Sequence, residues 1–158
     1  MSCDKFKPHL HIYAEDAATR DTAGGFAQSF PTRRQRQMQT FTCPGYPGVR
    51  EKVEHDAKLA DYPERRILCV IDFDNHPDRF NELKRCVSET ARARVYVVGC
   101  AGEIETAKRM LNVQGHDDDF GKRLARLDNN DWDAPCLRAS KPELQRLLDD
   151  LRSNGICP

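Results

Sequence analysis

An uninterrupted apolar run, Ile67–Ile71 (ILCVI), is followed at once by the acidic triplet Asp72-Phe73-Asp74. A strand with one solvent-exposed face alternates apolar and polar residues, whereas a continuous apolar run is typical of a strand buried on both faces. Such strands lie in the middle of parallel sheets, and parallel neighbours need long crossover connections that usually contain a helix. This run therefore predicts an α/β protein with a mainly parallel central sheet.

The rest of the chain alternates strand and helix patterns in agreement with this prediction. Further strands are predicted at His9–Ala14, Gln39–Cys43 and Val95–Gly99. Helices are predicted at residues 16–30, 49–60, 77–87 and 103–111, followed by two amphipathic helices after Asp117, with Leu124 and Leu127 in one and the leucines of 144–151 in the other. Ser140 and Glu143 have the spacing of a helix capping box. We expect a Rossmann-like sheet flanked by helices, with a C-terminal helical segment.

Length and composition indicate a single domain. The 158 residues are enough for one hydrophobic core, and we place that core at about residues 8–112 with a helical extension at about 117–153. Lysine and arginine balance aspartate and glutamate at 25 each, so net charge alone neither requires nor excludes a nucleic-acid partner. Seven cysteines without a Cys-x-x-Cys pair argue against a disulfide framework or a structural zinc. With no signal peptide or membrane-spanning run, a cytoplasmic protein without a membrane partner is expected.

Acidic residues follow three of the predicted strands. Glu15 closes the first strand, Asp72 and Asp74 follow the central one, and Glu103 and Glu105 come shortly after Val95–Gly99. In open α/β sheets, ligands bind outside the carboxyl ends of the strands, so these acids are predicted to converge at one edge. Adjacent carboxylates repel one another unless a cation neutralises them, and their hard oxygen atoms suit Mg²⁺ or Mn²⁺.

A glutamate after the first strand and an apolar run ending in Asp-x-Asp together resemble the Toprim domain of topoisomerases, primases and OLD-type nucleases. The resemblance implies that Glu15 acts as general acid or base and that Asp72 and Asp74 hold the metal. Asp16 stands where many Toprim proteins have glycine. OLD-type and small standalone Toprim proteins also carry an acid just after the next strand with a lysine nearby. On this resemblance Glu103 is assigned to the metal, and Glu105 and Lys108 to catalysis.

The function that this resemblance implies is metal-dependent cleavage of DNA or RNA. OLD-type nucleases combine the same domain with an ATPase, often in defence against phage. Since this sequence has no G-x-x-x-x-G-K-[ST] motif, an ATPase partner supplied in trans is expected. The basic segment with Arg33, Arg34 and Arg36 is the candidate for contacts with nucleic-acid phosphates.

Two alternatives to a nuclease remain. The chain could be a Toprim-fold subunit with weak or no catalysis that mainly docks onto a larger protein, because fold does not determine function. It could also be a phosphatase of the haloacid-dehalogenase type, whose first motif is likewise an apolar run followed by Asp-x-Asp. In that family the first aspartate is a nucleophile and the second a general acid, which would assign these roles to Asp72 and Asp74.

Overall fold

A computed structural model of the protein describes residues 6–56, 61–127 and 130–156. Its centre is a four-stranded sheet in which every pairing is parallel, with the order β2-β1-β3-β4. The strands are β1 (His9–Ala14), β2 (Met38–Thr42), β3 (Arg65–Asp72) and β4 (Val95–Cys100). The predicted α/β class with a parallel sheet is confirmed, and the apolar run of β3 lies between two neighbours as expected for a central strand.

Eight helices connect or follow the strands within the described ranges. They are α1 (Ala17–Gln28), α2 (Thr32–Gln35), α3 (Gly45–His55), α4 (Arg79–Arg85), α5 (Glu89–Arg92), α6 (Ile104–Met110), α7 (Asp117–Leu124) and α8 (Lys141–Ser153). Short 3₁₀ turns at Asn130–Asp133 and Arg138–Ser140 lead into α8. Among the described residues, no helix is both long and apolar enough to cross a membrane.

Several boundaries differ from the sequence-based prediction. Helix α3 begins at Gly45 and ends at His55, earlier at both ends than the predicted 49–60, and residues 57–60 lie outside the described part. Helix α7 ends at Leu124, so Leu127, predicted to mark this helix, follows it and packs against the core from a turn. The five cysteines of the described ranges are free thiols.

The sheet is buried on both faces. On one face α1, α6, α7 and α8 cover alternate residues of β1, β3 and β4, including Leu68, Val70 and Val98, to form the larger core. On the other face α3, α4 and α5 cover the intervening residues, such as Ile67 and Ile71. Two-sided burial explains why β3 and β4 read as continuous apolar runs in the sequence.

The outer edge of β4 is closed by side chains of α8 and the turn before it. The Ser140 hydroxyl accepts from the Gly99 N–H at 2.9 Å and donates to the Gly99 carbonyl at 2.8 Å. The Glu143 carboxylate accepts from the Val97 N–H, and Arg146 donates to the Val95 carbonyl. The predicted capping box is therefore wrong, because Ser140 makes no side-chain cap bond to α8 and both residues instead satisfy the backbone of an edge strand.

Helices α1 and α7 approach closely through glycine. A Cβ atom on Gly25 would lie 1.8 Å from the carbonyl oxygen of Asp118, and one on Gly121 would lie 1.8 Å from that of Thr22. The neighbouring Gly24, by contrast, has nothing within 4 Å of the position where its Cβ would be. Packing between the two helices thus explains Gly25 and Gly121, whereas no contact inside the described chain explains Gly24.

Candidate functional site

The first residue of the candidate site is placed by the pairing of β1 with β3. Because these strands are neighbours, Glu15 at the end of β1 lies beside the end of β3. The Glu15 carboxylate accepts a hydrogen bond from the backbone N–H of Asp72 at 3.1 Å. The structure therefore brings together two acids that are separated by 57 positions in the sequence.

Asp16 is the third acid at this edge. One ligand atom from each of Glu15, Asp16 and Asp72 lies within 4.8 Å of the others. The other role of Asp16 is local, since its carboxylate accepts from the backbone and hydroxyl of Thr19 and so caps the first turn of α1. In the sequence, Asp16 stands out as the residue at the position of the glycine of many Toprim proteins, and its place directly after Glu15 at a strand end is the signal that links it to the site.

Asp72 carries the most perturbed carboxyl of the site. Its side chain is buried, and its Oδ1 accepts from the Ile104 N–H at the start of α6 at 3.1 Å. Burial, followed by the charges of Glu15, Asp16, Glu105 and Asp74, raises the pKa of Asp72 to about 7. Burial also raises the pKa of Glu15. The folded chain thus holds carboxylates together at a free-energy cost that a cation or a proton would relieve.

Asp74 belongs to a tight turn that directs its carboxylate to a different partner. Asp74 and Asn75 both have left-handed backbone conformations, with φ of 48° and 59°. The turn is held by a hydrogen bond from the Asn75 N–H to the Ala101 carbonyl at 2.7 Å. The exposed carboxylate of Asp74 pairs with Arg79 at 2.9 Å, so it is not part of the cluster of Glu15, Asp16 and Asp72.

Arg79 is a cation beside the acids that the sequence analysis did not identify. Its guanidinium donates to the carbonyl of Asp72 at 2.7 Å and to the Asp74 carboxylate, and it lies over the ring of Tyr46 at 4.4 Å. The Tyr46 hydroxyl in turn donates to Glu82 at 2.5 Å. Arg79 is therefore held in place by groups on both sides, next to the acidic cluster.

The acids and the lysine after β4 separate into two environments. Glu103 and Glu105 are exposed at the start of α6, where the charge of Glu105 contributes to the raised pKa of Asp72. Lys108 pairs with Asp117 at 2.6 Å and also donates to the Gly115 carbonyl. Lys108 thus contacts the segment that begins α7, and no contact joins it to Glu15 or Asp72.

The three arginines proposed for phosphate contacts lie far from these acids within one chain. Arg33 and Arg34 are in α2 and Arg36 follows it, just before β2 begins. The acids follow the carboxyl ends of β1 and β3, whereas β2 begins beside Leu10, near the amino end of β1. The three arginines therefore lie near the amino ends of the strands, whereas Glu15 and Asp72 lie at the carboxyl ends.

The donor set at the acidic edge fits a hard divalent cation. Glu15, Asp16 and Asp72 each use one carboxylate oxygen in a hydrogen bond to the protein. Within the described ranges no hydrogen bond is made to the second oxygen of any of the three, and oxygen ligands of this kind are those that Mg²⁺ and Mn²⁺ prefer. The structure groups Glu15, Asp16 and Asp72. This set differs from the predicted metal ligands, which were Asp72, Asp74 and Glu103.

A second polar cluster lies on the face of the sheet that α3 covers, around His11 and Tyr13 of β1. The buried Asp56 carboxylate accepts from the Tyr13 hydroxyl at 2.5 Å and pairs with Arg65 at 2.7 Å. His11 lies 3.9 Å from Asp56, and burial together with the charge of Arg65 lowers the pKa of His11 to about 4. These groups satisfy one another, which indicates a structural role.

Comparison with known proteins adds no assignment. Neither a family model nor a curated protein matches the chain.

Proposed function

We propose that the chain is a Toprim-type nuclease that hydrolyses phosphodiester bonds of DNA or RNA with Mg²⁺ or Mn²⁺. The observation that carries the proposal is the contact between Glu15 and the end of β3, where Asp72 has a pKa of about 7. This combination of a glutamate and an aspartate from adjacent strand ends is what the Toprim resemblance implies. It also favours a nuclease over the phosphatase alternative, which assigns no role to Glu15.

The acids of the cluster have distinct roles in this proposal. A divalent cation held by Asp72 and Asp16 would polarise a phosphoryl oxygen and attract the negative charge of the leaving group. Burial raises the pKa of Glu15, and Glu15 would exchange a proton with the attacking water or the leaving oxygen. Arg79, which lies beside the acids, would donate to a non-bridging phosphate oxygen, since a guanidinium matches that geometry.

The proposal extends to a partner. A domain with balanced charge offers few phosphate contacts, and each such contact adds salt-sensitive affinity. We therefore propose that an ATPase supplied in trans provides further grip and control, and that the complex acts in defence against phage, as the resemblance to OLD-type nucleases implies.

Metal binding is tested by titrating Mn²⁺ into the wild type, Asp72→Asn and Asp78→Asn in a calorimeter. Asp78 is an exposed aspartate of the same loop and makes no side-chain cap bond, so Asp78→Asn is a matched control. We expect a loss of binding of at least about tenfold for Asp72→Asn, since one of the grouped carboxylates is neutralised, and none for Asp78→Asn. Equal binding by all three proteins would refute the metal site.

Catalysis is tested with plasmid DNA and with RNA as substrates, for the chain and for its complex with the partner. We expect the complex to nick DNA or RNA in Mg²⁺ or Mn²⁺, and Asp72→Asn or Glu15→Gln to abolish this activity while Asp78→Asn retains it. If the Asp72→Asn complex nicks as fast as the wild type, the chain is not the catalytic subunit. The alternative of a docking subunit would then be supported.

A further inference from the structure

The two edge strands of the sheet differ in whether other parts of the chain bond to their outward backbone groups. Ser140, Glu143 and Arg146 occupy the backbone groups of β4 that face outward. On the opposite side, β2 (MQTFT) has no charged residue and no proline. Charges, proline, bulges or covering segments are the usual means of preventing an edge strand from pairing with another chain. The edge of β2 has none of these among the described residues.

The outward backbone groups of β2 can be identified from its pairing with β1. The Leu10 N–H donates to the Gln37 carbonyl, and the Cys43 N–H donates to the Ala14 carbonyl. In a parallel ladder, alternate residues of a strand direct their N–H and C=O to the same neighbour, so odd-numbered residues here face β1. The backbone groups of Met38, Thr40 and Thr42 therefore face outward, and no hydrogen bond within the described ranges satisfies them.

These three residues form a self-complementary pattern. If a second β2 approaches antiparallel about a twofold axis at Thr40, then Thr40 lies opposite its own copy and Met38 lies opposite Thr42. Each of these is a hydrogen-bonded pair, so both outward groups of every residue find a partner. The strand carries no charge that would repel its copy, and threonine pairs across strands are favourable.

The surroundings of β2 leave space for a second copy. Thr40 pairs with Ile12, so its side chain faces the same side of the sheet as α1. A groove of about 610 Å³ is lined by Thr40, by residues of α1 that include Gly24 and Gln28, and by the segment that begins α7. Gly24 has no neighbour at its Cβ position, although glycine in a helix costs about 1 kcal/mol relative to alanine. Close approach of a second α1 would explain this glycine.

We propose that two copies of the chain pair through β2, antiparallel and centred on Thr40, to form a continuous eight-stranded sheet. In this pairing residue 36 of one copy lies beside residue 44 of the other, one position before Gly45. The Gly45 N–H donates to the Glu15 carbonyl at 2.9 Å. Arg36, which is remote from the acids of its own chain, thus lies near the acidic edge of the second copy, and Arg33 and Arg34 are in the short helix α2 just before it.

The oligomeric state is the first test. Sedimentation equilibrium at micromolar concentration should give twice the 18.1 kDa mass of one chain. Thr40→Lys places two ammonium groups opposite each other across the axis and should produce a monomer with unchanged circular dichroism. Thr90→Lys, the same change on the exposed surface of α5, should remain a dimer. A monomeric wild type, or a Thr40→Lys chain that is still a dimer, would overturn the proposal.

Disulfide formation tests the register. Thr40→Cys places two thiols at a hydrogen-bonded pair with a Cα separation of about 5.5 Å, within the range that a disulfide spans. Oxidation with copper phenanthroline should therefore link the two chains covalently. In Thr42→Cys the two thiols would be about 13 Å apart along the strand and should not link. The wild type controls for the native cysteines, and efficient linkage of Thr42→Cys instead would refute the register.

The placement of the arginines has its own test. The chain with Arg33→Ala, Arg34→Ala and Arg36→Ala should dimerise about three- to tenfold more weakly than the wild type at low salt, and the difference should shrink at high salt. Unchanged dimerisation would contradict their position beside acids of the second copy.

A last test rests on the proposed nuclease function. Asp72→Asn and the triple arginine variant should each be inactive, but when mixed equally they should regain about a quarter of wild-type nicking, because half of the dimers contain one complete site. Absence of rescue would refute the shared site. If the wild-type complex is inactive, the proposed nuclease function is refuted, whereas the dimer is tested independently by the sedimentation mass and the disulfides.

Discussion

Replacing Asp72 by asparagine should stabilise the protein in the absence of divalent cations. The carboxyl group is buried beside Glu15 and Asp16, and its pKa rises from 3.8 to about 7 in the folded chain. Asparagine has nearly the same shape and keeps an oxygen that can accept from the Ile104 N–H. The substitution therefore removes the charge while preserving the contact.

The magnitude and its pH dependence follow from linkage. The unfolded chain loses the Asp72 proton at a lower pH than the folded chain does, so ionisation increasingly opposes folding between pH 3.8 and 7. This difference between the folded and unfolded pKa corresponds to about 4 kcal/mol of unfolding free energy above pH 7. Relaxation of the site should reduce the observed stabilisation by Asp72→Asn to about 2–4 kcal/mol. At pH 5 the gain should be less than half of the gain at pH 8.

Urea unfolding with a chelator present measures this gain directly. The wild type, Asp72→Asn and the control Asp78→Asn would be compared at pH 5 and pH 8, with equal slopes required for a valid comparison. A destabilised Asp72→Asn at pH 8, or a gain that is the same at both values of pH, would show that the carboxylates do not oppose folding.

Three further predictions concern stability alone. In the Asp72→Asn background, stability should fall by about 2 kcal/mol from pH 7 to pH 4.5. Below pH 6.5 the unfolded chain binds a proton at His11, whereas the folded chain, in which the pKa of His11 is lowered to about 4, does not. His11→Gln should reduce this fall in urea titrations. In the Thr40→Lys chain, Gly24→Ala should raise the unfolding free energy by about 0.5–1 kcal/mol, whereas Gly25→Ala, whose Cβ would collide with Asp118, should lower it by about 1–3 kcal/mol. Ser140→Ala should cost about 1–3 kcal/mol in thermal or urea unfolding because it leaves the buried Gly99 N–H without its acceptor; Ser153→Ala, at an exposed hydroxyl, should cost much less.

The parts of the fold that depend on local pattern were predictable. The apolar runs of β3 and β4 predict strands that are buried on both faces. The strand His9–Ala14 was predicted with the bounds that β1 has in the structure. The meeting of Glu15 and Asp72 follows from the rule that parallel strands present their carboxyl ends at one edge, once β1 and β3 are neighbours. The strand order itself is a tertiary property that no local pattern in the sequence expresses.

The failures arise where a tertiary partner prevails over a local one. Ser140 and Glu143 have capping-box spacing, but the backbone of β4 offers them hydrogen bonds that would otherwise be missing inside the protein. Asp74 was grouped with Asp72 from its spacing, whereas a left-handed turn and Arg79 give it another partner. Arg79 went unrecognised because a long side chain can reach a site from a helix that no motif marks.

The closure of β4 by α8 has a consequence for synthesis on the ribosome. Strands leave the exit tunnel in numerical order, so β4 can join the sheet before Ser140, Glu143 and Arg146 have emerged from the tunnel. During that interval the nascent chain presents an apolar strand with an open backbone, which is a template for intermolecular pairing. Chains stalled or cleaved before residue 140 should therefore depend on chaperones to stay monodisperse, even though all four strands are complete.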